Sequence, residues 1–204
     1  MQLRSSSILL ASRQHGETAA IARFLTRQHG LIAGYVAGAR GRQLRPVMIP
    51  GNFVAIDLRA KSDSQLPFAK VELLESRGPW LSEPLPAAAI SWVCAMTASA
   101  LPERYPYPHL HDALAALLGA ICQAPSARGW LPALVTYETL LLRELGYGGD
   151  RPVQTADLTE VLTQFDQLEH PLLRYLLADN RGDVMAARTL LRERLARMVG
   201  QQSG

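Results

Sequence analysis

Three arginines, Arg40, Arg42 and Arg45, lie close together in a glycine-punctuated stretch at residues 30–46. A guanidinium group binds phosphate through a planar fork of donors, so such a cluster is suited to holding a polyanion. The apolar run at residues 31–36 predicts a strand that leads into this basic loop. The alternative is an ordinary solvated hairpin end, in which the arginines only keep the chain soluble.

The glycines of the same stretch, Gly34, Gly38 and Gly41, leave the backbone free to bend or to approach a partner closely. They are not followed by the Lys-Ser or Lys-Thr pair of a P-loop. The stretch therefore does not indicate nucleotide hydrolysis.

Charge is distributed unevenly along the 204 residues. The formal net charge is +3, but residues 1–78 hold 11 Lys+Arg against 5 Asp+Glu, and residues 79–204 hold 10 against 13. A basic first part joined to a mildly acidic second part indicates that the first part meets a polyanion. Arginine outnumbers lysine, which suits phosphate binding, although a GC-rich genome would produce the same bias.

Side chains that could hold a metal are few. Cys94 and Cys122 lie in apolar runs and are interpreted as buried hydrophobes of a reducing compartment. No C-x-x-C is present in the sequence. His109 and His111 would point to different sides of a helix, and a helix start is the favoured role for them. We therefore expect no metal and no cofactor.

Catalytic patterns are also missing from the sequence. The carboxylates Asp112, Glu138 and Glu144 are scattered, and nothing pairs them as an acid and a base. The serines at residues 5–7 do not form a G-x-S-x-G nucleophile motif. We therefore expect a protein that is not an enzyme.

The amino-terminal residues 1–13 contain too short an apolar run for a signal peptide, and no segment approaches the length of a membrane span. We expect a soluble, cytoplasmic protein with no membrane partner.

Turn signals divide the first part of the chain into about five short strands. We predict them at residues 3–12, 18–27, 31–39, 52–60 and 66–76, the second because a short turn joins it to the third. Five short strands favour a small closed barrel, and a barrel of this size with a basic loop is typical of an OB-fold. Residues 1–78 are therefore predicted to be an OB-fold nucleic-acid-binding domain.

Aromatic side chains in such a barrel could stack on the bases of a single strand. The candidates are Phe24, Tyr35, Phe53 and Phe68. For each of them we expect a place in the barrel core, and Tyr35 is the best of the set for stacking.

The second part of the chain is rich in Ala and Leu at helical spacing. We predict helices at residues 85–101, 109–123, 130–146, 157–168, 171–179 and 183–199, the last capped by Asp183. The fold class is therefore α+β, an OB-fold five-stranded barrel followed by an α-helical domain at residues 79–204.

The final predicted helix carries Arg188, Arg192 and Arg194, which could face DNA or an acidic partner tail. The alternative, favoured for at least half of these arginines, is a charged outer face. The apolar side chains of the helix would then pack inward, namely Leu190, Leu191, Leu195 and Val199.

Three blocks of sequence carry a family pattern. The first comprises LLASR at 9–13, GET at 16–18, FLT at 24–26 and HG at 29–30. The second is VAGAR at 36–40, and the third comprises PAL at 132–134, YE at 137–138, LL at 141–142 and LGYG at 145–148. In order and spacing over most of the chain they resemble the RecO family of bacterial recombination and DNA-repair mediators.

This resemblance implies an amino-terminal OB-fold and a helical carboxy-terminal domain. It implies binding of single- and double-stranded DNA, annealing of complementary strands and a location at the nucleoid during repair. It also implies partnership with RecR, contact with the tail of the single-strand binding protein, and help in loading the RecA recombinase on coated single strands. No catalytic chemistry is implied.

The sequence departs from the family pattern in three places. Cysteines that hold zinc in many members would follow LGYG, but residues 149–152 contain none, so we predict a zinc-free protein. Val135 and Thr136 stand where some members have arginines, which weakens the case for a basic pocket that takes an acidic tail. The basic ending that often follows the last helix is also missing from residues 201–204.

The residues of the first part supply the candidates for contact with DNA. They are predicted to hold phosphates or, for the tyrosine, to stack on a base: Arg13, Arg23, Arg27, Tyr35, Arg40, Arg42 and Arg45. Two other interpretations stay open, an OB protein that binds RNA and a protein-interaction adaptor whose barrel does not touch nucleic acid.

Overall fold

A computed structural model describes residues 2–62, 65–148, 152, 155, 157–178 and 181–202. The described residues form two compact units. One is drawn from residues 1–82 and 101–111, and the other from residues 83–100 and 112–204.

The first unit contains a closed five-stranded barrel with strands in the order β1-β2-β3-β5-β4. The strands are β1 (Gln2–His15), β2 (Ala19–Thr26), β3 (Gly30–Val36), β4 (Phe53–Arg59) and β5 (Phe68–Glu75). This confirms the predicted OB-like barrel. The predicted end of the first strand was wrong, because β1 continues through a bulge between Leu9 and Ala11 and pairs with β2 as far as His15.

Alternation of side chains builds the barrel core. Along β4, Val54, Ile56 and Leu58 are buried whereas the residues between them are half-buried, which is the alternation of a strand with one face in the core. Phe24 of β2 and Ile32 of β3 join them, so each strand turns one row of side chains to the inside.

The basic segment between β3 and β4 is a compact run of turns, which we call the cationic turn (residues 37–52). Ala39, Val47 and Met48 are part of the barrel core, and Leu44 packs against it. The predicted third strand therefore ends at Val36, and the predicted open loop is instead folded onto the barrel by its own apolar residues.

The barrel closes where β3 lies parallel to β5, with Tyr35 opposite Phe68. Gly34 makes this approach possible. A Cβ added to Gly34 would lie 3.0 Å from Ala69 Cβ and 3.2 Å from Leu58 Cδ2. The missing side chain therefore allows β5 to come close to β3.

Replacement of Gly34 with Val should destabilise the protein by about 1–3 kcal/mol, because the added branches overpack the junction of β3 and β5. Thermal unfolding followed by circular dichroism measures the loss. Ala33→Val on the half-buried face of the same strand is the matched control and should be close to neutral. Equal melting temperatures for the two variants would contradict this account of barrel closure.

The α-helices among the described residues are α1 (Pro84–Ala100), α2 (Pro108–Gln123), α3 (Leu131–Glu144), α4 (Leu158–Gln167), α5 (Glu169–Pro171) and α6 (Arg181–Gln202). A π-helical turn, Leu172–Leu176, follows α5, so the predicted continuous helix at residues 171–179 was wrong. The helix predicted to start at Asp183 begins two residues earlier, at Arg181.

A buried ion pair joins the helices of the second unit. Arg188 of α6 donates from Nη2 to Glu138 Oε2 of α3 at 3.4 Å, and the side chains are 1% and 0% exposed. Trp92 of α1 donates from Nε1 to Glu138 Oε1 at 2.6 Å. Burial raises the pKa of Glu138 to about 7, although the charge of Arg188 and the hydrogen bond from Trp92 act in the opposite direction.

Further groups hold the Arg188 guanidinium in place. It donates to Glu169 Oε2 at 3.1 Å and to the carbonyl oxygen of Phe165, and its Cζ lies 3.9 Å from the centroid of the Phe165 ring. Both charges of the pair are thereby taken out of water. Loss of one partner leaves the other buried without compensation.

Replacement of Arg188 with Met should destabilise the protein by about 3–5 kcal/mol at pH 8 and by less at pH 5. A carboxyl group whose pKa is raised in the folded state favours folding at low pH and loses that contribution as pH rises through the folded pKa. Without Arg188 the folded pKa of Glu138 rises further above about 7, so the penalty grows toward pH 8.

Urea unfolding at the two pH values tests this expectation. Arg192→Met is the control, because Arg192 makes a partly exposed pair with Asp166 that should contribute no more than about 1 kcal/mol. A loss for Arg188→Met that is equally large at pH 5 and pH 8 would be inconsistent with the role given to the Glu138 carboxyl.

Candidate nucleic-acid interface

The cationic turn presents two of the predicted phosphate ligands beside a surface cavity of about 340 Å³. Arg40 and Arg45 line this cavity together with Ser12 and Gln14 of β1. Arg40 is held from two sides, since its backbone N–H donates to the carbonyl of Thr18 and its Nη1 donates to the carbonyl of Glu17, each at 3.1 Å. The cavity therefore combines exposed guanidinium groups with polar side chains of the strand.

Arg42 and Arg45 are exposed on the same turn. The backbone N–H of Arg45 donates to the carbonyl of Gly41 at 2.9 Å, which closes one turn of the segment. The structure thus brings together Arg40, Arg42 and Arg45 on a folded support.

Asn52, the last residue of the cationic turn, fixes the turn through hydrogen bonds to the backbone. Its side chain is fully buried, and its Nδ2 donates to the carbonyls of Pro46 and Val47 at 3.1 and 3.0 Å. Its Oδ1 accepts from the backbone N–H of Arg77 at 2.7 Å. Sequence reasoning missed this residue, because its partners come from segments on both sides of β4 and β5.

Replacement of Asn52 with Ala should cost about 2–3 kcal/mol of stability, since it leaves the buried backbone groups of Val47 and Arg77 and the partly buried carbonyl of Pro46 without their partner. It should also raise the susceptibility of the cationic turn to limited proteolysis at its exposed arginines. Gln43→Ala, an exposed change in the same turn, is the control for both measurements. A trypsin cleavage rate equal to that of the control would argue against the anchoring role.

A second group of side chains lies on the outer face of the barrel. One residue from each strand pairs with a residue of the neighbouring strand, in the order β1, β2, β3, β5 and β4. We call this line of paired residues the outer row: Arg13, Ile21, Tyr35, Phe68 and Arg59. Tyr35 is half-buried in it, and Phe68 is 65% exposed. Arg13 and Arg59 are exposed at its two ends.

The expectation that all four aromatic side chains belong to the barrel core was wrong for three of them, because Tyr35 and Phe53 are half-buried outside the core cluster and Phe68 is exposed. Phe68 opens β5 on the face of Lys70 and Glu72, whereas Ala69 and Val71 point inward. Phe24 is fully buried as expected. The alternation within β5 was a signal in the sequence that could have placed Phe68 outside.

Arg59 was also absent from the predicted site. It and Arg4 share one carboxylate, Asp57, with Nη2 of Arg59 at 3.1 Å and Nε of Arg4 at 3.0 Å from Oδ2. The hydrogen bond from Arg59 lowers the pKa of Asp57 below its ordinary value, with burial opposing. Two guanidinium groups thus face one carboxylate, and this corner of the barrel keeps a net positive charge.

The remaining predicted arginines lie apart from these two groups. Arg23 of β2 is half-buried and donates from Nη2 to Glu103 Oε1 at 3.2 Å, so its charge is compensated. Arg27 is exposed in the turn between β2 and β3, at the end of the strands opposite to the cationic turn. The structure does not bring Arg23 or Arg27 together with Arg40.

The hypothesis that Arg188 faces DNA is wrong, because its side chain is buried in the ion pair with Glu138. Arg192 is engaged by both oxygens of Asp166, at 2.6 and 2.7 Å, and Arg194 donates to the carbonyl of Pro84. The inward packing expected of the final helix holds for Leu191 and Leu195, whereas Leu190 is 40% exposed. Val199 lies outside the residues whose side chains are described.

Metal ligands were not expected, and the described residues contain no group of three or more His, Cys, Asp or Glu side chains placed to hold an ion. Residues 149–151, on which the zinc-free prediction rests, lie outside the described residues. Val135 is buried and Thr136 exposed on α3. Within the described part of the chain, every helix is too short or too polar to cross a bilayer.

These features define the class of the protein: an α+β chain with an OB-like amino-terminal barrel followed by helices. Two family models match it, Recombination protein O N terminal over residues 1–77 and Recombination protein O C terminal over residues 82–150. The chain therefore belongs to the RecO family.

Several relatives are similar to about three quarters of this chain. The chain is 42% identical over 151 residues to the DNA repair protein RecO of Rhodospirillum centenum, an alignment that covers 74% of this chain and 59% of the relative. The proteins of that name from Ruegeria sp. and Phenylobacterium zucineum are 40% and 38% identical, with 74% of this chain and 61% of each relative covered. The chain thus spans about three fifths of the length of these relatives.

Proposed function

We propose that this protein is a DNA-repair and recombination mediator that binds single- and double-stranded DNA. Membership of the RecO family and the shared name of the relatives, DNA repair protein RecO, support this proposal. Nucleic-acid binding is assigned to residues 1–78, and residues 79–204 supply the helical domain that serves protein partners.

The observation that carries the proposal is the cationic turn. Arg40, Arg42 and Arg45 project from a segment whose apolar residues are part of the barrel core. Phosphates held by such groups release counterions whatever the sequence of the bases, which suits a mediator with little sequence preference. No nucleophile, acid–base pair or metal is needed for this role, so the proposal is for a protein that is not an enzyme.

Annealing follows from the same electrostatics. A surface that neutralises two phosphate backbones lowers their mutual repulsion, so complementary strands can approach and pair. Help in loading the RecA recombinase on coated single strands, with RecR and the tail of the single-strand binding protein as partners, is proposed from the family resemblance. The protein would act in the cytoplasm, at the nucleoid during repair.

The test is fluorescence anisotropy with a labelled single strand and a labelled duplex across a salt series. The wild type should lose affinity steeply as salt rises. Replacement of Arg40, Arg42 and Arg45 together with Ala should lower the slope of log K against log salt by about two units on the single strand. The control replaces three exposed arginines of the second unit with Ala, namely Arg143, Arg174 and Arg197.

The outcomes separate the candidate functions. A wild type that binds neither probe would favour a protein-interaction adaptor. Equal salt slopes for the two triple variants would mean that the phosphate contacts lie outside the cationic turn. An RNA of the same sequence that displaces the DNA at lower concentration would favour an RNA-binding protein.

A further inference from the structure

The outer row contains an aromatic side chain that the phosphate contacts do not use. Phe68 is 65% exposed, although a phenyl ring is among the groups that gain most from burial. One exposed ring is common on protein surfaces, but this one belongs to a connected set. The Phe68 ring contacts Tyr35, and Tyr35 contacts His15, with centroid separations of 5.2 and 5.8 Å.

The three rings are arranged so that ring faces stay open. Tyr35 and Phe68 meet at an interplanar angle of 72°, and His15 and Tyr35 at 86°. A stacked pair covers one face of each ring, whereas an edge-to-face pair covers only one face in total. The set therefore offers flat aromatic surface to a further planar group.

The rings stand on regular strands and not on free loops. The backbone N–H of Tyr35 donates to the carbonyl of Pro67 at 2.8 Å, directly before Phe68. The close packing at Gly34 holds the same two strands together on the inner side. A surface that is already ordered loses little conformational entropy when it binds.

The charges around the rings indicate the chemistry of the ligand. Arg13 stands at one end of the outer row. At the other end Arg59 and Arg4 share the single carboxylate of Asp57, so one net positive charge remains there. Planar apolar groups between two cationic positions match a ligand that alternates flat rings with anionic linkers. Unpaired nucleotides have this composition, and in a duplex the faces of the bases are buried in the stack.

We infer that His15, Tyr35 and Phe68 form a base-stacking platform for single-stranded DNA, with Phe68 as the principal ring and Arg13 and Arg59 on the flanking phosphates. This inference rests on the proposed function and deepens it. The cationic turn serves single strands and duplexes alike, whereas the platform recognises only unpaired bases.

The test uses Phe68→Ala, Phe68→Leu and Phe68→Trp in the full chain. Leu74→Ala is the matched control, because Leu74 is an exposed apolar residue of the same strand. Each protein is titrated with three labelled probes: a single strand, a duplex of the same length, and a single strand in which abasic sites replace the nucleotides. Circular dichroism melts confirm that every variant is folded.

Stacking predicts a specific pattern. Phe68→Ala should weaken binding to the single strand by roughly 5- to 150-fold, the range for loss of one base–aromatic contact. Binding to the duplex and to the abasic strand should stay within about two-fold of the wild type, and the salt slope on the single strand should not change. Phe68→Trp should retain the affinity, and Phe68→Leu should lose it despite its apolar side chain.

Other results overturn the inference in identifiable ways. Retained affinity in Phe68→Leu would mean that the ring is a general apolar contact, of the kind a protein partner uses. Equal losses on the single strand and the abasic strand would mean that bases are not involved. If the wild type binds both DNA forms and no Phe68 variant differs in affinity from Leu74→Ala, the inference of a stacking platform is wrong while the proposed function stands. If the wild type binds no DNA, the proposed function itself fails.

Discussion

The barrel depends on the close approach of β3 to β5 at Gly34. The parallel contact between β3 and β5 joins two strands that are separated along the chain by β4. A side chain at residue 34 would crowd Ala69 and Leu58 at this contact. The absence of a Cβ there brings the backbones together and places Tyr35 beside Phe68 on the outside. One steric condition inside the barrel thus decides both its closure and the arrangement of aromatic side chains on its surface.

The two groups of candidate ligands are held in the same physical way. Asn52 fixes the cationic turn by three hydrogen bonds to backbone groups, and the β3–β5 contact fixes the rings of the outer row. Neither group is presented on a free loop, so the proposed binding of DNA would require little further ordering of the chain. The polar and aromatic side chains of these segments are exposed or half-buried, while the apolar residues of the same segments stabilise the barrel.

Local patterns in the sequence predicted much of the fold and part of the candidate site. Turn residues predicted five strands, and the grouping of Arg40, Arg42 and Arg45 was visible because they are neighbours along the chain. The placement of Phe68 beside Tyr35 was not visible in the sequence, because it depends on the register in which β3 pairs with β5. Arg188 resembled a surface residue for a related reason, since its buried partner Glu138 lies 50 positions away on another helix.

The division between cations and aromatic rings gives the proposed annealing mechanism a direction. Two single strands can each be held by phosphate contacts and by stacked bases. When they pair, their bases leave the aromatic rings for each other, so the product keeps only the phosphate contacts. In this proposed mechanism the lost stacking contacts lower the affinity for the product, which favours release of the duplex without a chemical step. A surface with cations alone would lack this difference, because a duplex presents its phosphates at higher density than a single strand.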